Sequence, residues 1–160
     1  MGPESSLELA GEPATLRLGA ALAGGLAPGR VLHLSGELGS GKTTLVRGLL
    51  RELGHTGRVK SPSYPLVELY VISSLNLYHF DFYRFKDRSE WLESGFREYF
   101  NAQTACIVEW PERAGELLPP ADLAIRLEIA GDGRRAWLSA GTPGGAAWLA
   151  HSRQRFSSAA

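Results

Sequence analysis

Gly36, Gly39, Gly41, Lys42 and Thr43 stand in the spacing G-x-x-x-x-G-K-T, the pattern of a phosphate-binding loop. A triphosphate presents several negative charges and many acceptor oxygens. A chain that holds one must turn backbone N–H groups inward with no side chains in the way. Gly39 and Gly41 allow that approach, and Gly36 allows the turn out of a preceding strand. A helix beginning near Lys42 adds its unpaired N–H groups and the positive end of its dipole. Lys42, read as presented to solvent by the loop with no packing role, is expected to reach the outer phosphates, and the Thr43 hydroxyl to sit on magnesium. Such a site needs a further acid at the end of a neighbouring strand, and the chain offers two. Glu109 follows the apolar run "ACIV" and Asp81 follows "LYHF". Glu109, behind the more uniformly apolar run, is the first choice for the metal, directly or through water. Asp81 then orients the attacking water or helps hold the metal. The competing reading makes either acid a helix cap or an ion-pair partner of Arg84 or Arg113. His79 reads as a packing or hydrogen-bonding residue rather than a catalyst. Trp110, beside Glu109, reads as core or as a wall of the site.

These residues need elements to hold them. "RVLHLSG" is a short apolar strand entering the loop, and "TTLVRGLLREL" places Leu45, Leu49 and Leu53 on one helical face. Ahead of them, "SLELA" predicts a strand and "GEPATLRLGAALAGGL" a helix with Glu12 and Pro13 in its first turn. Residues 54–65 form a loop by composition. Its "KSPSYP" segment lies where an outer-phosphate sensor would lie. Pro62 and Pro65 restrict it, and Ser61 and Ser63 supply hydroxyls. A plain solvent loop is the alternative. "LVELYVISSLNLYHFD" predicts two antiparallel strands around Ser73 and Ser74. "RSEWLESGFREYF" predicts one or two short helices broken at Gly95, "TACIVEW" a buried strand, and "PERAGELLP" a short helix opened by Pro111. "DLAIRLEIAGDGRRAWLSA" alternates on both sides of "GDG", a hairpin. The Gly- and Ser-rich tail is expected to be partly helical with a frayed end, so residues 1–5 and 142–160 are the candidate flexible parts. The fold class that results is α/β: one P-loop domain over residues 1–160, with a mixed, mostly parallel sheet flanked by helices and carrying antiparallel hairpins.

At 160 residues the chain has room for a real core. Lys and Arg total 17 and so do Asp and Glu. That balance supplies no field to draw in nucleic acid unaided. Cys106 is the single cysteine, which excludes a disulfide within the chain and reads as a buried thiol in "ACIVEW". No run has the apolar length of a membrane span, and "MGPESSLELAGEP" lacks a signal peptide's basic and apolar regions. A cytoplasmic protein without a membrane partner is the expectation.

Together, "GELGSGKTTLVRG", "VKSPSYPLV", "YHFDFYRF", "EYF" and "IVEWPERAGELLP" closely resemble the TsaE family in order and spacing, over residues 7–140. The P-loop by itself is unspecific; its combination with H-x-D-x-Y-R and E-W-P is highly specific. The resemblance implies a P-loop ATPase needed to make threonylcarbamoyladenosine beside the anticodon of tRNA. It implies ATP and Mg2+ as cofactors, held on a phosphate loop that includes Leu38, Gly39, Ser40, Gly41, Lys42, Thr43 and Thr44. Thr43 is the magnesium ligand it implies, Asp81 the essential aspartate, Glu109 the metal-linked glutamate and Trp110 the functional tryptophan. Ser63 stands where the family often has threonine, keeping the hydroxyl. Glu12 and Thr15 open the first helix where the family approaches the nucleotide, and Arg134 falls where a family arginine contacts it; an exposed hairpin arginine is equally consistent. The partners implied are TsaD, which performs the carbamoyl transfer, and TsaB. This chain joins their complex, its ATP cycle supports repeated turnover, and tRNA is met only through the complex. The rivals are a small-molecule kinase, for which "GDGRRAW" makes too short a lid, and a nucleotide-dependent binding switch with negligible hydrolysis.

Overall fold

The computed structural model describes residues 5–64 and 66–159. Seven strands form one sheet: β1 (Ser5–Leu9), β2 (Val31–Ser35), β3 (Val67–Ile72), β4 (Leu75–Asp81), β5 (Thr104–Glu109), β6 (Leu123–Ala130) and β7 (Gly133–Ala140). Their order is β1-β7-β6-β2-β5-β4-β3. β2 pairs in parallel with β5 and β6, and β5 with β4, whereas the outer pairs β1/β7, β6/β7 and β3/β4 are antiparallel. Five strands therefore run one way, opposed by the return strands β7 and β3, which gives the mixed, mostly parallel sheet expected. β5 is buried at every position, as the centre of a parallel sheet covered on both faces requires.

One face is covered by α1 (Glu12–Ala23), α2 (Lys42–Glu52) and α4 (Pro143–Ser158). Leu18, Leu22, Leu45, Leu49, Trp148 and Phe156 share a core there with Leu32, Leu34, Leu77 and Ile107. α1 and α2 cross at glycines. A Cβ on Gly19 would lie 2.1 Å from the Leu45 carbonyl oxygen, and one on Gly48 2.2 Å from that of Leu16. Gly48, a poor helix former in mid-helix, is thus explained by backbone contact. The other face is aromatic: Phe80, Phe82, Phe85 and Trp91 are buried with Val108 and Cys106, under α3 (Ser89–Ser94) and a 3-10 turn at Phe96–Tyr99. Burial pushes the Cys106 thiol up to about 12, consistent with an inert core thiol.

Two expectations are corrected. Residues 143–158 of the tail are a packed helix rather than a flexible end. Thr142 caps α4 by accepting from Gly145 N at 2.9 Å, Trp148 donates to Leu22 O at 2.9 Å, and the Arg17 guanidinium lies 4.7 Å from the Phe156 ring centroid. Two large buried rings outweigh the weak helix propensity of the glycines. At the other end Ser5 is in β1; residues 1–4, Pro65 and Ala160 lie outside the described residues. "PERAGELLP" forms two 3-10 turns, Pro111–Arg113 and Gly115–Leu117, because Gly115 takes φ 61° and stops an α-helix from propagating. Among the described residues no helix is long and apolar enough to cross a membrane.

Candidate functional site

The parallel strands β2, β4 and β5 end side by side. Leu34 is in register with Glu109, and Glu109 with Asp81. This is the carboxyl edge of the sheet, where α/β folds place ligands. The loop from β2 to α2 folds over it. Gly36 turns at φ 142°, where a Cβ would come 2.5 Å from Leu127 O, and Gly41 enters α2 at φ 105°. A Cβ on Gly39 would meet nothing within 4 Å, so the loop is open on that side. β7 holds the loop from behind: Arg134 donates through Nε to Ser40 O at 3.1 Å and through Nη2 to Gly39 O at 2.9 Å.

Lys42 differs from its expectation. It is 5% exposed. Its Nζ donates to Gly36 O at 2.5 Å and Glu37 O at 3.0 Å, and lies 4.5 Å from the Trp110 ring centroid. An ammonium removed from water needs acceptors, and the carbonyls of its own loop are the nearest. Burial lowers its pKa, opposed by the negative field of Glu109 and Asp81.

Glu109 is 2% exposed. Thr43 Oγ1 donates to its Oε2 at 3.1 Å, with Oε1 at 3.4 Å. His79 Nε2 approaches the same Oε2 at 2.7 Å. Asp81 Oδ1 accepts from Tyr83 N at 3.0 Å, and its Oδ2 accepts from the Ser61 hydroxyl. Neither acid takes Arg84 or Arg113 as its hydrogen-bond partner. Arg113 donates to Phe85 O at 3.1 Å and lies 5.3 Å from the centroids of both Tyr83 and Trp110. Trp110 adopts φ 59°, a left-handed conformation rare for a large residue. It spans Lys42 on one side and Tyr83, at a centroid separation of 4.9 Å, on the other. It packs against the aromatic core and lines the cavity at once, so both readings of it hold.

Leu38, Gly39, Gly41, Lys42, Thr43, Thr44, Asp81, Glu109 and Trp110 meet around one cavity of about 270 Å³, joined by Ser61. Glu12 and Arg134 line an adjoining cavity of about 190 Å³ with Thr15, Gly39, Gly41, Thr44 and Asp132. Ser40 lines neither; its buried hydroxyl has no partner among the described residues and its carbonyl serves Arg134. Ser63 lines a third cavity, of about 200 Å³, beside Asp81 and Arg84, while the hydroxyl on Asp81 belongs to Ser61. Sequence reasoning missed Ser61 on Asp81, Asp132 and the His79–Glu109 contact. The last had a signal: in a strand, residues two apart share a face, so His79 had to share that of Asp81.

A triphosphate fits this set. Backbone N–H groups, Lys42 and the α2 N-terminus face an open loop. Thr43 and the two carboxylates are hard oxygen donors suited to magnesium. Among the described residues no group of three His, Cys, Asp or Glu is set to hold a metal unaided. A cation here would rely on phosphate oxygens and water, as magnesium does at nucleotide sites.

A family model described as threonylcarbamoyl adenosine biosynthesis protein TsaE matches residues 9–137. The Haemophilus influenzae tRNA threonylcarbamoyladenosine biosynthesis protein TsaE is 46% identical over 112 residues, 70% of this chain and 71% of that protein. Its Bacillus subtilis namesake is 44% identical over 108 residues, 68% of this chain and 67% of that protein. A crystal structure of Bacillus subtilis YdiB superposes with a TM-score of 0.82 at 30% identity, covering 96% of this chain and 97% of that one.

Proposed function

The chain belongs to the TsaE family of threonylcarbamoyl adenosine biosynthesis proteins, and from that premise we propose that it is a magnesium-dependent ATPase serving tRNA modification. It works in the cytoplasm as a subunit beside TsaD and TsaB, supports their repeated turnover, and meets tRNA only through them. The carbamoyl transfer belongs to the partner. The observation that carries this reading is the meeting of Thr43 with Glu109, 3.1 Å apart, under a glycine loop that also carries Lys42. Lys42 trades the Gly36 and Glu37 carbonyls for phosphate oxygens. The Thr43 hydroxyl keeps its hydrogen on Glu109 while its lone pairs face the cavity. Asp81, oriented by Tyr83 N and Ser61, orients water at the outer phosphate. Magnesium bound there would withdraw charge from the phosphate oxygens. Glu12, Thr15 and Arg134 line the cavity proposed for the rest of the nucleotide.

The test is phosphate release from Mg-ATP, with and without TsaD and TsaB, for the native chain and Lys42→Ala. We expect slow release alone, faster release in the complex, and loss of both nucleotide binding and release in the variant. Native-rate release by Lys42→Ala overturns the loop assignment, and a phosphorylated metabolite in place of free phosphate would make the protein a kinase.

A further inference from the structure

His79 lies in β4, opposite Ile107 of β5, and is fully buried. Its Nε2 is 2.7 Å from Glu109 Oε2, and its Nδ1 is buried with no hydrogen-bond partner among the described residues. An imidazole nitrogen facing a carboxylate is the donor, so Nε2 is spent on Glu109 and Nδ1 is left without a partner among the described residues. A buried polar atom without a partner costs stability. An apolar side chain would fill the position without that cost, so packing does not account for the histidine. The contact to Glu109 does.

We infer that His79 is a positioning residue, whose Nε2–H fixes the Glu109 carboxylate in the orientation that lets Thr43 and Glu109 hold magnesium. The inference rests on the magnesium reading above. Oε2 is shared by two donors, His79 and Thr43, which pins the carboxylate torsion. Among the described residues Oε1 has only the 3.4 Å contact from Thr43, so it is the oxygen with acceptor capacity to spare. Donors behind a metal-linked carboxylate act in this way at other metal sites, and their loss commonly weakens metal binding about 10- to 100-fold. His79 and Asp81, two apart on one strand, then serve the two tasks of the site from one face: Asp81 lines the cavity, and His79 stands behind the acid across from it.

The test is magnesium titration of fluorescent ADP binding, with a parallel arm in EDTA and thermal melting of every variant. His79→Leu should raise the magnesium concentration at half-saturation by tenfold or more and leave affinity in EDTA within about twofold. His79→Gln, whose amide N–H reaches about as far as Nε2, should recover to within about threefold of native. Should the leucine variant fail to melt cooperatively, His79→Asn replaces it, since its shorter amide falls short of Glu109. In the Glu109→Gln background, His79→Leu should add little further loss. Equal shifts in the leucine (or asparagine) and glutamine variants, or no shift in any, overturn the inference alone. Native binding indifferent to magnesium overturns the reading of the site and this inference with it.

Discussion

The two faces of β4 carry different chemistry. Leu77, His79 and Asp81 point to the α2 side, where two of the three side chains are polar and buried. Tyr78, Phe80 and the following Phe82 point to the other side. There Phe80 stacks on Phe100 at 5.1 Å and packs against Phe96 at 5.4 Å, and Tyr78 stacks on Tyr99 at 4.6 Å. The same backbone hydrogen bonds serve both faces. The aromatic face anchors the strand by burying large rings, worth several kcal/mol each. That anchorage lets the other face keep a histidine and two neighbouring carboxylates out of water, an arrangement that would otherwise push the chain apart.

If this division holds, substitutions on the aromatic face should read out in stability and those on the polar face in chemistry. The largest effect is expected from Phe80→Ala, which should lower unfolding free energy by about 3–5 kcal/mol in a denaturant titration. An unchanged midpoint would mean that the aromatic cluster is not what holds the strand. Asp81→Asn should keep the Tyr83 hydrogen bond and melt within a few degrees of native, yet lose about a hundredfold in ATP turnover with the partners present. A sharp fall in melting temperature with turnover intact would make Asp81 structural.

A second, half-buried histidine sharpens the contrast. His33, on β2, sits on the aromatic side with Val31. Burial pushes its pKa down to about 4, with a hydrogen bond to the Pro119 backbone pulling the other way. The unfolded chain binds this proton below pH 6.5, while the folded ring stays neutral to about 4. The unfolded state therefore holds more protons in that window, and stability must fall as pH drops through it. The expected loss is about 3 kcal/mol by pH 4, measured as the difference in acid titration between native protein and His33→Gln. Parallel curves would remove His33 as the source. The smallest effects concern the loop before β3. Ser61→Ala, which strips a hydroxyl from Asp81, should cost about fivefold in turnover. Ser63→Ala, which removes no hydrogen bond to an acid among the described residues, should stay within about twofold. The reverse order would return the role to Ser63.

Residue order alone determined the strand, loop and helix that carry Lys42 and Thr43, the acids Glu109 and Asp81 at strand ends, the two hairpins, and the family. Each is local: a glycine spacing, a period of two, an apolar run with a polar stop. Membership rests on motifs that lie along the chain and need no folding to be read. What the tertiary structure decided is contact between residues far apart in sequence. Lys42 turns back onto its own loop against Trp110, Arg134 grips that loop from β7, and His79 stands behind Glu109 across two strands. Gly19 and Gly48 have low helix propensity and find their reason only where α1 and α2 cross at them, and the glycine-rich tail reads as loose until Trp148 and Phe156 find a core. Local propensities are worth tenths of a kcal/mol per residue, while burying a ring or pairing a buried charge is worth several times that. Where the two disagree, packing decides, and it exists only once the sheet has brought the partners together.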